Sequence, residues 1–283
     1  MMPMKLDFHF HSTFSDGSET VDNIFKMAAE QGVTALALAD HDTVLGIAEE
    51  INASRKYNIP YIPATEFTAR EDGIAFHVLG YGIDHQNTAL RNYSYELLDC
   101  MNKRSLSQIE QMQENGIDIA ADEFFSRGRG GPLYRAKLLG VLADFGYLDR
   151  SKIMSLLPEY FGKDKPYYRA DLFNYRSFAE IASMIHESGG IVVLAHPGKI
   201  KKKNEALYDR LIKSPLLDGV EIYHPKNSED VREELHAIAR ERNLIYTGGS
   251  DYHGCYMKTP LSVGDVQMPE ECLEFLMPYL SNH

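Results

Sequence analysis

The chain has 283 residues, of which 44% are hydrophobic and 25% are charged, and its formal net charge is −12. This composition is typical of a soluble globular protein and excludes disordered, collagen-like and fibrous classes. The acidic balance also disfavours a broad nucleic-acid-binding surface.

Short apolar strands alternate with helical patterns over the first part of the chain. Strand patterns cover residues 4–10, 34–39, 59–67 and 75–81, the last two in a candidate hairpin, and helical spacing covers 21–31 and 43–57. The alternation resumes after residue 170, with strands at 191–195, 219–223 and 244–247 and helices at 177–188, 205–212, 229–241 and 269–280. Strands that alternate with helices predict βα units and a mainly parallel sheet.

The middle of the chain departs from this rhythm. Helical patterns occupy residues 89–116, 133–145 and 151–157, and the sequence SRGRGGP at 126–132 is typical of a loop. We therefore predict a helical insertion domain at 88–168 within a barrel domain formed by 1–87 and 169–283. The remaining roughly 200 residues are fewer than the about 250 of an eight-stranded barrel, which favours a smaller, incomplete α/β barrel.

Three scattered cysteines, Cys100, Cys255 and Cys272, show no CxxC spacing and favour a reducing compartment. No apolar run reaches the roughly 18 residues of a membrane helix, and the first residues lack the apolar core of a signal peptide. The sequence therefore predicts a cytoplasmic location without a membrane partner.

His9 and His11 lie at the end of the first predicted strand, where alternation places both side chains on one face. Alone this pair is weak support for a metal site. The sequence Asp40-His41-Asp42 follows the second strand at its carboxyl end, the edge where parallel βα folds carry functional groups. We interpret Asp42 as the cap of the next helix.

Histidine or carboxylate residues recur at nearly every later strand end. With those already described and Asp16, in a Ser-Asp-Gly turn, the candidate ligands are His9, His11, Asp16, His41, Glu66, His77, His196, Asp251 and His253. Nine imidazole and carboxylate ligands without thiolate suit two or three divalent ions of zinc, manganese or iron. Such a centre activates water for an in-line displacement, so phosphoester hydrolysis is the predicted reaction and amide hydrolysis its competitor.

The motifs HFHSTFSDG, LADHD, ATEF, VLAHPG and GGSDYHG, together with His77, resemble those of the PHP-domain metal-dependent phosphoesterases. The resemblance spans residues 9–254 and implies a distorted seven-stranded (β/α) barrel, TIM-like, with its metals at the carboxyl rim of the strands. By motif it implies three metal positions, held respectively by His9, His11, Glu66 and Asp251; by Glu66, His77 and His196; and by Asp16, His41 and His253.

The insertion, the sequence GKDKPYYRAD and the later IHESGGIVVLAHPGK are similar to bacterial members that act on nucleotides. This similarity implies removal of the 3'-phosphate from a 3',5'-nucleoside bisphosphate by a metal-bridging hydroxide, or trimming of short RNA from the 5' end. The insertion segment GRGGPLYRAKLL departs from the usual GRPHIARAL pattern, with Leu133 in place of histidine, and this leaves the substrate open.

Residues 100–170 hold 11 Lys and Arg against 9 Asp and Glu, so the insertion is a candidate basic lid over an acidic barrel. Arg129 and Arg135 are candidates to bind a second phosphate, with Arg127 and Lys165 as weaker ones. Lys199, placed on the loop after the fifth strand, is a further substrate-binding candidate.

His224 follows the strand VEIY and, with Asp251, is predicted to be catalytic. It is a candidate to bind phosphate or to protonate the leaving oxygen, since histidine titrates near neutral pH.

Three alternatives remain: a histidinol-phosphate-type phosphatase, an amidohydrolase-like C–N hydrolase, and a non-catalytic module of the kind found in DNA polymerases. No lysine that could be carbamylated occupies a strand end, and all nine ligands are present, which favours the phosphoesterase. The predicted partner is a small phosphorylated substrate rather than a long duplex, bound by a monomer or a small homo-oligomer.

Overall fold

The computed structural model describes residues 4–256 and 261–280. Within these residues seven strands form two sheets. The strands are β1 (Lys5–Asp7), β2 (Val33–Leu36), β3 (Ala64–Glu71), β4 (Ile74–Tyr81), β5 (Ile191–Leu194), β6 (Gly219–Tyr223) and β7 (Ile245–Gly248).

The described residues also form eleven α-helices. They are α1 (Val21–Gln31), α2 (Ile47–Tyr57), α3 (Thr88–Glu114), α4 (Ala121–Ser126), α5 (Arg135–Asp144), α6 (Ile153–Phe161), α7 (Phe178–Glu187), α8 (Pro197–Lys203), α9 (Glu205–Ile212), α10 (Glu229–Arg242) and α11 (Glu271–Leu276). None of these helices combines the length and the apolar character required to cross a lipid bilayer.

The predicted mixed α/β fold is confirmed in its class, and the sheets show how it is built. Strands β1 and β2 pair in parallel, and the larger sheet has the order β3-β4-β5-β6-β7. In that sheet β3, β4 and β5 pair antiparallel, whereas β5, β6 and β7 pair in parallel. The candidate hairpin is thus present as β3 and β4, joined by a turn in which Asp72 and Gly73 have positive φ.

Sparse backbone hydrogen bonds connect the two sheets on both sides. The Phe8 N–H donates to the Gly248 carbonyl (3.2 Å), which links the segment after β1 to β7. The Ile62 N–H donates to the Leu36 carbonyl (2.9 Å), which links β2 to the segment before β3. The carboxyl ends of β1, β2, β5, β6 and β7 therefore lie near one another, and the loops that follow them share a region.

Three clusters of buried apolar side chains hold the elements together. One cluster joins the sheets to the surrounding helices and includes the first half of α3, through Leu90, Tyr93 and Leu97. A second collects side chains from different strands with Cys272 and Leu276 of α11. The third is built almost entirely from α3–α6 and includes Tyr256. Helices of the predicted insertion thus contribute both to a core of their own and to the core around the sheets.

Candidate metal centre

The residues predicted as metal ligands lie on or directly after the strands. His9 and His11 follow β1, His41 follows β2, Glu66 and His77 lie within β3 and β4, and His196 follows β5. Asp251 and His253 follow β7, and Asp16 lies in the turn before α1. The structure brings all nine of these side chains together around Glu66.

Glu66 is buried, and its two carboxylate oxygens contact different sets of imidazoles. The Oε2 atom lies 3.0 Å from His9 Nε2 and 3.3 Å from both His11 Nε2 and His41 Nδ1. The Oε1 atom lies 2.9 Å from His77 Nδ1 and from His196 Nε2. A carboxylate that uses both oxygens in this way is placed to bridge two cations.

Two further carboxylates extend the cluster. Asp251 Oδ1 lies 3.3 Å from His11 Nε2, and its Oδ2 lies 3.3 Å from His224 Nε2 and contacts the Lys226 ammonium. Asp16 Oδ1 lies 3.2 Å from His253 Nε2. These contacts join the loops after β1, β6 and β7 at one point.

Within the described residues, four groups of side chains bring their ligand atoms close enough to hold a cation. They are His9, His11, Glu66 and Asp251; His11, Asp16, His41 and His253; His41, Glu66 and His77; and His9, Glu221 and His224. The first two contain the ligand sets implied by the resemblance for two of the three metals. His196 is outside the Glu66–His77 group but contacts the same Glu66 oxygen.

The donor atoms themselves fit divalent cations. Several of them are buried and have no hydrogen-bond partner in the described structure, which is costly for a polar atom unless another ligand satisfies it. These atoms are His9 Nε2, both ring nitrogens of His11, Asp16 Oδ1, His41 Nδ1 and Glu66 Oε2. Imidazole nitrogen and carboxylate oxygen suit zinc, manganese and iron.

The local charges shift several pKa values in opposite directions. Burial alone would lower the pKa of His11, but the Asp251 and Glu66 carboxylates beside its ring raise it to about 10. Burial lowers the pKa of His41 and of His196 to about 3 in each case. Burial would raise the pKa of Glu66, yet the surrounding histidines hold it well below its usual value. The Glu66 carboxylate is therefore ionised and the imidazoles of His41 and His196 are neutral, whereas the His11 imidazole holds a proton that a bound cation would displace.

Two of the ligands have unusual backbone conformations. His196 has φ 31° and Asp251 has φ 53°, both in the left-handed region that non-glycine residues rarely adopt. Such strain persists where the surrounding structure fixes it, and it clusters at functional sites. Here it turns both side chains toward Glu66 and His11.

A layer of buried carboxylates supports the ligands. Glu221 Oε1 lies 2.7 Å from His9 Nδ1, and its Oε2 accepts from the His196 backbone N–H at 2.7 Å. Asp40 accepts hydrogen bonds from the Ser12 and Ser15 hydroxyls and so fixes the loop that carries Asp16.

The interpretation of Asp42 as a helix cap is wrong. Helix α2 begins at Ile47, with Gly46 as its N-cap, so Asp42 lies too far upstream to cap it. Asp42 instead accepts from the Thr68 N–H (2.7 Å) and from the Tyr93 hydroxyl (2.8 Å). It thereby ties the loop after β2 to β3 and α3.

The metal-ligand cluster forms one wall of a cavity of about 440 Å³. His224, Lys199 and Lys226 also line it, as do Ala136, Met154 and Leu157 of the predicted insertion. Lys199 lies on helix α8, so its predicted placement on a loop is wrong. Proline preorganises the first turn of a helix, which explains why the sequence Pro-Gly starts α8 here rather than a turn.

The other candidates for phosphate binding lie elsewhere. Arg135, at the start of α5, lines a second cavity next to the first. Arg129 is exposed, with φ 43°, and is not among the described lining residues of these two cavities. Arg127 pairs with Asp144.

Two residues of the site were missed from the sequence. Glu221 is a charged residue in the otherwise apolar strand VEIY. It is buried next to His9 and contacts the ring of that histidine. Strand alternation could have found it, since Val220 and Ile222 occupy the other face. Lys226, two residues after His224, carries no sequence signal that distinguishes it from a surface lysine.

Comparison with known proteins agrees with this geometry. The sequence model of the PHP domain family matches residues 7–254. The phosphoribosyl 1,2-cyclic phosphate 1,2-diphosphodiesterase of Eggerthella lenta is 29% identical over 257 residues, which cover 90% of this chain and 96% of that protein. The 3',5'-nucleoside bisphosphate phosphatase of Chromobacterium violaceum is 27% identical over 253 residues, 88% of this chain and 87% of that protein.

Among solved structures, a candidate metal-dependent phosphoesterase from Bifidobacterium adolescentis superposes with a TM-score of 0.83 at 25% identity. The superposition covers 99% of this chain and 97% of that one. The match to the family model extends over most of the sequence and includes every residue of the cluster around Glu66. The chain belongs to the PHP domain family.

Proposed function

We propose that this chain is a metal-dependent phosphoesterase that hydrolyses a phosphate ester of a small nucleotide-like substrate. The observation that carries the proposal is the convergence of eight imidazole and carboxylate side chains around Glu66, at the wall of a cavity large enough for such a substrate. The relatives described above are named for the hydrolysis of a cyclic phosphate and of a nucleoside bisphosphate, which supports this reading over amide hydrolysis.

We further propose that two or three divalent ions, manganese, zinc or iron, are held by the nine predicted ligands. When bound, such ions activate a water molecule as the nucleophile and neutralise the phosphate oxygens. Glu66 would bridge two of them through its separate oxygens, and Asp16 with His41 and His253 would hold a third.

His224 and the lysines of the cavity act on the substrate itself. The Lys226 backbone N–H donates to His224 Nδ1 (3.0 Å), so the ring proton lies on Nε2, the atom that faces Asp251. In this tautomer the Lys226 N–H orients the ring, and the Nε2 proton, which has no hydrogen-bond partner among the described residues, is donated to a phosphate or leaving-group oxygen. Lys199 and Lys226 add positive charge at the mouth of the cavity.

We also propose the wider architecture that the sequence predicts. The two sheets, joined by backbone hydrogen bonds at Phe8 and Ile62, are consistent with one distorted seven-stranded barrel. We keep residues 88–168 as the proposed insertion because α3–α6 have a separate apolar cluster. The free thiols of Cys100, Cys255 and Cys272 support a cytoplasmic location, and we propose a monomer or small homo-oligomer that does not bind long duplexes.

Metal-dependent hydrolysis, followed by separation of substrate and product, tests the proposal. Protein stripped with a chelator is reloaded with manganese, zinc or iron and assayed on a 3',5'-nucleoside bisphosphate, a ribose cyclic phosphate, histidinol phosphate, short RNA and an amide. We expect phosphate-ester hydrolysis that depends on metal and falls at least 100-fold in Glu66→Gln, whereas the exposed-site control Glu96→Gln retains it. Fully loaded protein that hydrolyses only the amide, or none of these compounds, would overturn the proposal.

A further inference from the structure

Asp251 presents its two carboxylate oxygens to different neighbours. Its Oδ1 atom lies 3.3 Å from His11 Nε2 and 3.8 Å from His9 Nε2, among the ligand atoms of the metal-ligand cluster. Its Oδ2 atom accepts a hydrogen bond from the Lys226 ammonium. His224 Nε2 also lies 3.3 Å from Oδ2 but has no hydrogen-bond partner in the described structure. The donor that holds the Oδ2 atom is therefore Lys226, which is not one of the nine predicted ligands.

The loop between β6 and α10 holds the backbone of Lys226 in place. The Lys226 N–H donates to His224 Nδ1 at 3.0 Å. The buried Asn227 side chain fastens the same loop, because its Nδ2 atom donates to the Glu221 carbonyl at 2.9 Å and its Oδ1 atom accepts from the Gly198 N–H at 3.0 Å. Only the side chain of Lys226 must then be ordered for the ammonium to meet Asp251, which lowers the entropic cost of the contact.

The ion pair of Lys226 with Asp251 lies at the edge of the buried cluster. The lysine side chain is 48% exposed, yet its ammonium contacts a carboxylate that is only 7% exposed. Charges that are partly shielded from water interact more strongly than charges on an open surface. The Lys226 charge therefore stabilises the Asp251 carboxylate and would repel a cation bound at the Oδ1 atom.

The hydrogen bond to Oδ2 also limits how Asp251 can bind a cation. Carboxylates bind cations through one oxygen or through both. A second oxygen occupies a further coordination position, whereas a hydrolytic centre must keep one position open for water. Lys226 opposes the two-oxygen mode because Oδ2 would have to give up the ammonium in order to join the coordination.

We propose that Lys226 is a positioning residue that restricts Asp251 to one-oxygen metal binding and so keeps a coordination position open for water. This role is additional to the positive charge that Lys226 adds at the mouth of the cavity, and it lowers the affinity for metal because the ammonium repels the cation. The inference rests on the proposed function for the use of the open position. The binding mode of Asp251 does not depend on which ester is hydrolysed.

Replacing Lys226 by methionine separates this role from a merely structural one. Methionine keeps an unbranched side chain but removes the charge and the donor. We expect Lys226→Met to bind manganese at least 10-fold more tightly in competition with a chelator, while kcat on adenosine 3',5'-bisphosphate falls at least 10-fold. Lys226→Arg keeps the charge and the donors and should restore the native metal affinity. A lysine that only stabilised its loop would lose metal affinity and activity together when replaced.

Crystal structures of the manganese-loaded native chain and of Lys226→Met show the binding mode directly. We expect only Oδ1 of Asp251 at coordination distance in the native chain and both oxygens in the variant. Lys202→Met is the matched control, because Lys202 is an exposed lysine of α8 and does not line the cavity at the metal-ligand cluster. It should leave metal affinity and kcat unchanged. Thermal unfolding of each variant verifies that it is folded.

Metal affinity and binding mode are measured without turnover, so this inference and the proposed function fail separately. If the native chain hydrolyses no phosphate ester but Lys226→Met binds manganese more tightly and through both Asp251 oxygens, the proposed function fails and the positioning by Lys226 stands. Equal or weaker manganese binding by folded Lys226→Met, an unchanged kcat on an ester that the native chain hydrolyses, or the same Asp251 binding mode in variant and native chain overturns the inference.

Discussion

Glu221 has no counterpart among the predicted ligands, yet it contacts two of them. One carboxylate oxygen lies 2.7 Å from His9 Nδ1, and the other accepts from the His196 N–H. A carboxylate on the outer nitrogen of a metal-binding histidine fixes the ring and its tautomer and raises its basicity as a ligand. The orientation of His9 and His196 therefore depends on a residue outside the predicted set of nine ligands.

Replacing Glu221 by glutamine tests this dependence. We expect Glu221→Gln to weaken metal binding about 10–100-fold, because the amide keeps the shape of the side chain but loses the charge that supports His9. Metal content after dialysis against graded chelator concentrations measures the effect. Glu229→Gln, an exposed position at the start of α10, is the control. Equal metal retention by Glu221→Gln and the native chain would contradict the argument.

Single site residues can be predicted from the sequence where a polar side chain follows the end of an apolar strand. His41, His196 and Asp251 are recognisable because they interrupt the pattern directly after an apolar strand. Glu221 lies inside a strand and Lys226 lies in a loop, so neither interrupts a pattern. Their roles come from contacts between distant segments, which a single sequence does not display.

Helix α2 contains a buried glutamate, Glu50, that is not one of the predicted metal ligands. Glu50 is 1% exposed, and its Oε2 atom has no hydrogen-bond partner in the described structure. Burial, and then the Asp40 charge, raise the pKa of Glu50 well above its usual value. The folded chain therefore binds a proton on Glu50 in a pH range where the unfolded chain has released it.

This linkage predicts that Glu50→Gln stabilises the folded chain by an amount that depends on pH. Above the unfolded pKa the native chain loses stability as pH rises, by up to about 1.4 kcal/mol per pH unit, until the folded pKa is reached. Glutamine does not titrate, so this pH-dependent loss is absent from the variant. Its free energy of unfolding should therefore rise relative to that of the native chain between pH 5 and pH 8. Urea unfolding at several pH values measures the difference, and a pH-independent difference would exclude a raised pKa.

The boundaries of elements follow local chemistry that periodicity does not capture. The strand predicted at 59–67 begins instead at Ala64, because Pro60 and Pro63 lack the N–H that a paired strand donates. The helix predicted at 43–57 starts only at Ile47, after Gly46. Helix α4 was missed altogether since its six residues are too few for a clear period.

Across the whole molecule, the proposed insertion contacts the loop that carries Asp16. The buried Lys137 ammonium of α5 donates to the Thr13 carbonyl (2.6 Å) and to the Pro132 carbonyl (3.0 Å). A Cβ atom at Gly131 would lie 2.6 Å from the Phe14 carbonyl oxygen, so only glycine permits this close approach. The loop of the predicted ligand Asp16 and the proposed insertion are therefore in direct contact.

Metal removal should accordingly destabilise more than the cluster itself. A cation present at 100 times its Kd contributes about 2.7 kcal/mol, and one kcal/mol shifts the Tm of a chain this large by roughly 2–4 °C. We expect a Tm about 5–10 °C lower after chelation, with faster amide hydrogen exchange in α5. Restoring the metal should reverse both changes. An unaltered Tm at verified zero metal content would show that the folded chain has no resident cation.

The chain order of the elements was predictable because strands and helices alternate with clear periods on both sides of residues 88–168. The pairing was predictable in part: the parallel pairs and the β3–β4 hairpin follow from the sequence, whereas the antiparallel pair of β4 with β5 does not. Strand direction depends on how a short turn at Asp72 and Gly73 reverses the chain, and that turn also places Glu66 and His77 side by side.

Asp16, Ala136 and Leu157 line both the cavity at the metal-ligand cluster and the cavity of about 430 Å³ beside it. A substrate that extends from one cavity into the other must therefore pass these three side chains. Ala136 has the smallest of them, so a larger residue at this position would narrow the passage and shorten the substrates that fit, without changing any predicted metal ligand.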